Sequence, residues 1–313
     1  MKMKWIVWAA VLTLSLFLAG CRYKEVKPAS GEENGYRFTD ALGEEVTVHD
    51  PKRVVALMGS FAETWLEAVG ALAGVTDDAI EERGISLVED VVSVGKFNGP
   101  NMEKIIGLDP DLVILSSVTK EHVALKNALK QAGIPAVYFR VTNFEDYLSM
   151  LKACTEITGR SDLYEKNGLD IQKQIKDTIS SVKDEKSPSI LLLITYSGGA
   201  AVQNSDTMTG KMLKDLGCEN IADKNRSLLK EFNMESIIKE DPDFIFVVPM
   251  GNDQELAMKN RKEAIENNPA WKGLTAVKDG RYILLPKEKF LYKPNAKWGE
   301  SYTYLSEILY GKK

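Results

Sequence analysis

Residues 101–115, NMEKIIGLDPDLVIL, carry apolar side chains at 102, 105, 106 and 108, then run apolar without a break from Leu112 to Leu115. The first spacing is that of one helical face, and Asn101 is a good N-cap for it. Asp109-Pro110-Asp111 should stop the helix, because a residue before proline is pushed out of the α region. The unbroken run that follows predicts a strand covered on both faces of a parallel sheet. Residues 233–247, NMESIIKEDPDFIFV, repeat the arrangement 132 positions later with eight of fifteen residues identical. Each copy is a helix feeding a buried strand, half of a βαβ unit, so the chain reads as duplicated.

The flanking pattern agrees. In the first half, strands are predicted at 53–57 and 134–139, with helices at 60–70 and 121–132. In the second, strands fall at 190–195 and 281–285, with a helix at 209–217. Alternation of this kind implies an α/β sheet in each half. FTDALGEEVTVHD (38–50) predicts an edge hairpin. Between the halves, residues 161–188 keep helical spacing through Leu163, Ile171, Ile175 and Ile179 and end at Pro188. About 22 helical residues span roughly 33 Å, so one stiff rod should join the two halves. The expected fold is α/β: two Rossmann-like lobes with mainly parallel sheets, at 36–160 and 188–313, joined by a single long α-helix over 161–187.

The first twenty residues break this pattern. MKMK is a basic start, WIVWAAVLTLSLFL an apolar run, and small residues follow, as in an export signal over 1–20. Residues 21–35 are polar and aperiodic, which predicts a flexible tether. No other apolar run approaches the ~18 residues that span a bilayer. The net charge of −5 gives no basic footprint for nucleic acid. Cys154 and Cys218 fall in different halves, and two buried free thiols are expected of them.

Leu18-Ala19-Gly20-Cys21 resembles the lipobox of bacterial lipoproteins, which implies acylation of Cys21 and a lipid anchor outside the cytoplasm. Together with the FTDALGEEVTV opening, RVVAL, the repeated NMEKIIGLDPDLVIL, NPAWKGLTAVKDGRYILLP (268–286) and KPNAKWGESYTYLSEIL (293–309), the whole mature chain resembles substrate-binding proteins of ABC importers. The specific likeness is to the class taking up iron–siderophore complexes, haem and vitamin B12. That resemblance implies a monomer with no intrinsic cofactor, two lobes facing across a shallow cleft, and delivery of the ligand to a permease dimer. It also implies that Glu103 and Glu235, the second residue of each repeated helix, meet arginines of the permease, although an acid in a helix's first turn is favoured by the macrodipole alone.

Ligands of such proteins sit at strand C-terminal ends, where loops of both sheets converge. That rule nominates Met58, Ser60, Phe61, Lys96, Phe97, Ser117, Lys120 and Arg140 in the first half. In the second it nominates Tyr196, Asn252, Tyr292, Lys293 and Trp298. The four cations would suit an anionic ferric siderophore or haem propionates, and the aromatic residues a planar or catecholate ligand. A corrinoid is the alternative within the fold. For haem, Met58, His122 and Tyr196 are the available axial donors, with His122 expected on the surface. Only two histidines are present, so the cluster required by zinc or manganese binders is missing. Neither GSFAE (59–63) nor YSGGA (196–200) matches a Gly-x-Ser-x-Gly elbow, and there is no phosphate loop. A binding protein is therefore expected rather than an enzyme, with a tethered sensor as the remaining rival.

Overall fold

A computed structural model describes residues 35–85, 91–196, 199–250, 256, 259 and 262–311. The leader, the tether up to residue 34, Cys21 and Asn252 lie outside the described residues. Gly35 to Lys313 form one compact unit.

The hairpin Tyr36–Thr39/Glu45–Val48 is antiparallel, and the Asp40 carboxylate holds its turn by accepting from Leu42 N and Glu44 N. The first lobe is built on a parallel sheet in the spatial order Val92–Ser93, Leu72–Val75, Val54–Ala56, Leu112–Ser116, Ala136–Phe139. In the second, Ser189–Tyr196 and Phe244–Pro249 pair parallel at the centre. Tyr282–Leu284 extends the sheet on one side, and Gly199–Gln203 adds an antiparallel edge on the other. The central strands are buried along their length, as their unbroken apolar runs require.

The duplication is physical as well as textual. Asn101 and Asn233 cap the helices Met102–Gly107 and Met234–Glu240 by accepting from Lys104 N and Ser236 N. After each proline, an aspartate ties the strand to its neighbour. Asp111 accepts from Lys52 N and Arg53 N at 2.7 and 2.9 Å, and Asp243 accepts from Ser189 N and its hydroxyl at 2.8 Å each. The residue before each proline, Asp109 or Asp241, turns into the left-handed region at φ 46° and 39°. Aspartate tolerates that conformation better than most side chains.

Three helices lie between the sheets: Phe144–Thr158, the segment from Ser161 to Ser181, and the C-terminal Trp298–Tyr310. The middle one is not a plain rod. It is helical at Ser161–Tyr164, widens into a π turn at Glu165–Leu169, and resumes at Asp170–Ser181. Ile171 and Ile175 enter an apolar cluster that also holds Tyr147, Leu151, Tyr302 and Leu305 and is continuous from the first sheet to the second. The C-terminal helix packs so close to the middle one that a Cβ on Gly299 would collide with the Gln174 side chain. Its Tyr302 hydroxyl donates to Asp215 Oδ2 at 2.7 Å, and its Tyr310 hydroxyl to the Leu216 carbonyl at 2.7 Å. Cys154 and Cys218 are buried and unpaired, and burial pushes both thiols above their usual range. No helix among the described residues is long and apolar enough to cross a membrane.

Leu305→Ala, at a fully buried position of this seam, should lower stability by about 2–5 kcal/mol in urea titrations. Loss of the exposed Lys173–Asp177 pair on the outer face should leave the midpoint unchanged.

Candidate functional site

A cavity of about 370 Å³ opens at the C-terminal ends of the strands. The first lobe lines it with Met58, Ser60, Asp78, Glu82, Arg83 and Phe97, and the second with Met250, Leu291, Tyr292 and Lys293. Of the residues nominated from sequence, the structure thus gathers Met58, Ser60, Phe97, Tyr292 and Lys293. Ser117, Lys120 and Arg140 do follow their strands, and Tyr196 is the last residue of its strand rather than the first beyond it, but none of them lines this cavity, and neither does Lys96. The Lys120 ammonium is solvated, 3.7 Å from Glu121.

Three expectations need correction. Trp298 is not a loop residue facing ligand; it opens the C-terminal helix at 1% exposure, edge-on to Phe144 at 6.0 Å. Phe61 is likewise 1% exposed, and the Lys293 ammonium lies 5.8 Å from its ring centroid, so it supports the floor without touching the cavity. His122 is not on the surface but fully buried. Ser116 N–H donates to its Nδ1 at 3.0 Å, so the proton sits on Nε2, which donates to the Phe97 carbonyl at 2.6 Å. Burial lowers its pKa and keeps the ring neutral. Nδ1 is held by Ser116 N–H at the end of the strand and Nε2 by the Phe97 carbonyl, which leaves neither nitrogen for iron.

Asp78, Glu82 and Arg83 are not among the residues nominated from sequence, because Leu72–Val75, four residues with a glycine inside, carries no clear strand pattern. Applied to that strand, the same rule points straight to them. The short helix Asp77–Glu81 follows, and Gly84, at φ +62°, turns the chain just beyond Arg83. Arg83 Nη1 binds Glu63 and donates to the Lys293 carbonyl at 2.9 Å, joining the lobes. The Lys293 ammonium lies 3.4 Å from the Met58 sulfur. Burial, with the nearby Arg83 charge, pushes its pKa down to about 8. Glu82 accepts from the Tyr292 hydroxyl, and its own pKa is raised by burial and then by Asp78. Instead of four clustered cations, the cavity holds two cations and two carboxylates.

Lys293 is aimed by the turn that follows it. Asn295 adopts φ 51° and is 1% exposed; its Nδ2 donates to the Ser60 carbonyl and to Glu63 Oε2, both at 2.8 Å. One residue on, Ala296 N donates to Glu67 Oε1 at 3.1 Å. Glu67 Oε2 lies 3.0 Å from the Tyr147 hydroxyl, which is 2.9 Å from the Asn167 carbonyl in the π turn. One hydroxyl proton cannot serve both acceptors. A protonated Glu67 resolves this by donating to Tyr147, which donates to Asn167. Burial raises the Glu67 pKa to about 7, with the Glu63 charge adding to the effect and Arg83 opposing it.

Known proteins resemble this chain in sequence and in fold. A family model described as periplasmic binding protein matches residues 54–289. A putative ABC transporter substrate-binding lipoprotein, YhfQ of Bacillus subtilis, is 26% identical over 88% of this chain and 88% of its own length. The Fe(3+)-citrate-binding protein YfmC of the same organism is 26% identical, with coverage of 88% and 87%. The Staphylococcus aureus IsdE structure complexed with heme superposes with a TM-score of 0.67 at 19% identity, covering 82% of this chain and 98% of that one.

The Glu67 carboxyl carries a pH signature. Between about pH 4.5 and 7 the folded state keeps the proton that the unfolded state has lost, so stability falls as pH rises through this window and is level above it. The total is about 2–4 kcal/mol. Glu67→Gln, whose amide can make the same bonds, should be the more stable protein at pH 8 and lose most of this slope. Urea titrations at pH 5 and pH 8 check it, and equal slopes in both proteins would contradict it.

Proposed function

The chain belongs to the periplasmic binding protein family, and from that premise we propose that it is an extracytoplasmic solute-binding lipoprotein of an ABC importer. Anchored through Cys21, it captures an iron chelate, siderophore or haem, between its lobes and hands it to a permease dimer. Glu103 and Glu235, both exposed in the first turn of equivalent helices, are its docking acids. The chain acts as a monomer and performs no chemistry on the ligand.

The observation that carries this reading is the cavity, to which both lobes contribute and in which Arg83 and Lys293 lie beside Phe97 and Tyr292. Its aromatic and thioether surface suits the organic shell of a chelate. Its cations suit carboxylate or catecholate oxygens, while Asp78 and Glu82 select against a ligand of high negative charge. The Fe(3+)-citrate-binding relative supports an iron-bearing ligand.

Lys293 makes the reading testable through pH. Below about pH 8 its amine is charged and attracts an anionic chelate; above, the attraction is lost. Affinity for such a chelate should fall roughly tenfold between pH 7 and pH 9, and Lys293→Met should bind more weakly at pH 7 with a flat profile. Calorimetric titration of ferric citrate, ferric hydroxamates, ferric catecholates, haem and cobalamin into the mature protein decides the ligand class. A ferric chelate or haem is expected to bind. Binding of cobalamin alone would replace the chelate with a corrinoid, and silence across the panel would remove the ligand assignment.

A further inference from the structure

The two repeated helices each present the same pair of side chains to solvent. In Met102–Gly107, Ile105 is fully buried in the first lobe's core while Ile106 is 48% exposed. In Met234–Glu240, Ile237 is fully buried in the second lobe's core while Ile238 is 42% exposed. Each outward isoleucine lies three residues after an exposed glutamate, Glu103 or Glu235, a spacing that makes them neighbours on one helix face.

Neither partner of the pair is needed by the fold. The helix N-termini are already capped by Asn101 and Asn233, and among the described residues neither glutamate makes a hydrogen bond or ion pair. The inward isoleucines supply the core contact. A single exposed apolar side chain is ordinary. The same acid–isoleucine pair, kept outward at the same register on both lobes, is a surface with two equivalent halves. It fits a partner that offers one socket twice, as a two-fold permease does, with a basic side chain beside an apolar recess. An exposed ion pair contributes little by itself, whereas burying an isoleucine side chain contributes substantially.

We propose that Ile106 and Ile238 are the apolar anchors of the permease-docking surface, each seated in a recess beside the basic group that meets Glu103 or Glu235. This rests on the docking reading above and assigns most of the affinity to the isoleucines. Charge then sets the approach and its salt dependence, and burial sets the lifetime of the complex.

The test measures binding of the full, ligand-free protein to the purified permease–ATPase complex in nanodiscs over a range of salt. Three variants are compared with wild type: Ile106→Ser/Ile238→Ser, Glu103→Gln/Glu235→Gln, and the combination. All positions are exposed, and unchanged urea midpoints verify the fold. The isoleucine pair is expected to weaken binding about a hundredfold with the salt slope retained, and the glutamate pair to flatten the salt slope with a smaller loss. If the isoleucine variant binds like wild type while the glutamate variant does not, the anchors are refuted and docking through the acids stands. If neither variant matters, both fail. If sedimentation shows wild type self-associating through these isoleucines, the occupant is a second copy and the proposal is overturned.

Discussion

The apolar seam between the two sheets is the constraint on which everything else depends. The helices Phe144–Thr158, Ser161–Ser181 and Trp298–Tyr310 share one continuous cluster with the strands of both lobes. The lobes are therefore not beads on a linker. Opening them would expose Trp298, Tyr302 and Leu305, whose burial contributes several kcal/mol together. A cavity whose walls come from both lobes can keep its shape without ligand only because that seam holds them at a set separation.

Polar contacts give the seam its register. Ala296 N and the Tyr147 hydroxyl converge on Glu67, and Asn295 and Arg83 converge on Glu63. The turn Lys293-Pro294-Asn295 is thereby fixed to the helix Gly59–Glu67, which begins at the cavity and ends at the seam. Lys293 is a member of both systems: its carbonyl belongs to the junction, and its side chain lines the cavity beside Met58. Cavity wall and lobe junction are coupled through a single residue, so a change at one should be felt at the other.

Much of the fold could be read from the sequence because it rests on periodicity. The repeated helix-and-strand pattern, the hairpin and the long connection between the halves all follow from spacing and from asparagine, aspartate and proline at fixed offsets. The site was less legible, for a physical reason. Position after a strand places a residue near the cleft but does not fix where its side chain points. Met58 and Lys293 point in, whereas Phe61 and Trp298 turn to the core because the seam offers them more burial. His122 reads as polar and hence exposed, yet two hydrogen bonds satisfy it inside. Arg83 was hidden by the brevity of Leu72–Val75, whose Gly74 weakens any strand pattern.

If the seam fixes the lobes, ligand capture rests on preformed contacts and small adjustments. The most direct measurement is the distance between spin labels at exposed Lys120 and Lys230, one on each lobe, with and without a ligand found by the titrations. A rigid seam requires one narrow distribution that moves by no more than a few ångström on binding. A broad or two-peaked distribution in the free protein, collapsing to a much shorter distance when ligand is added, would contradict it.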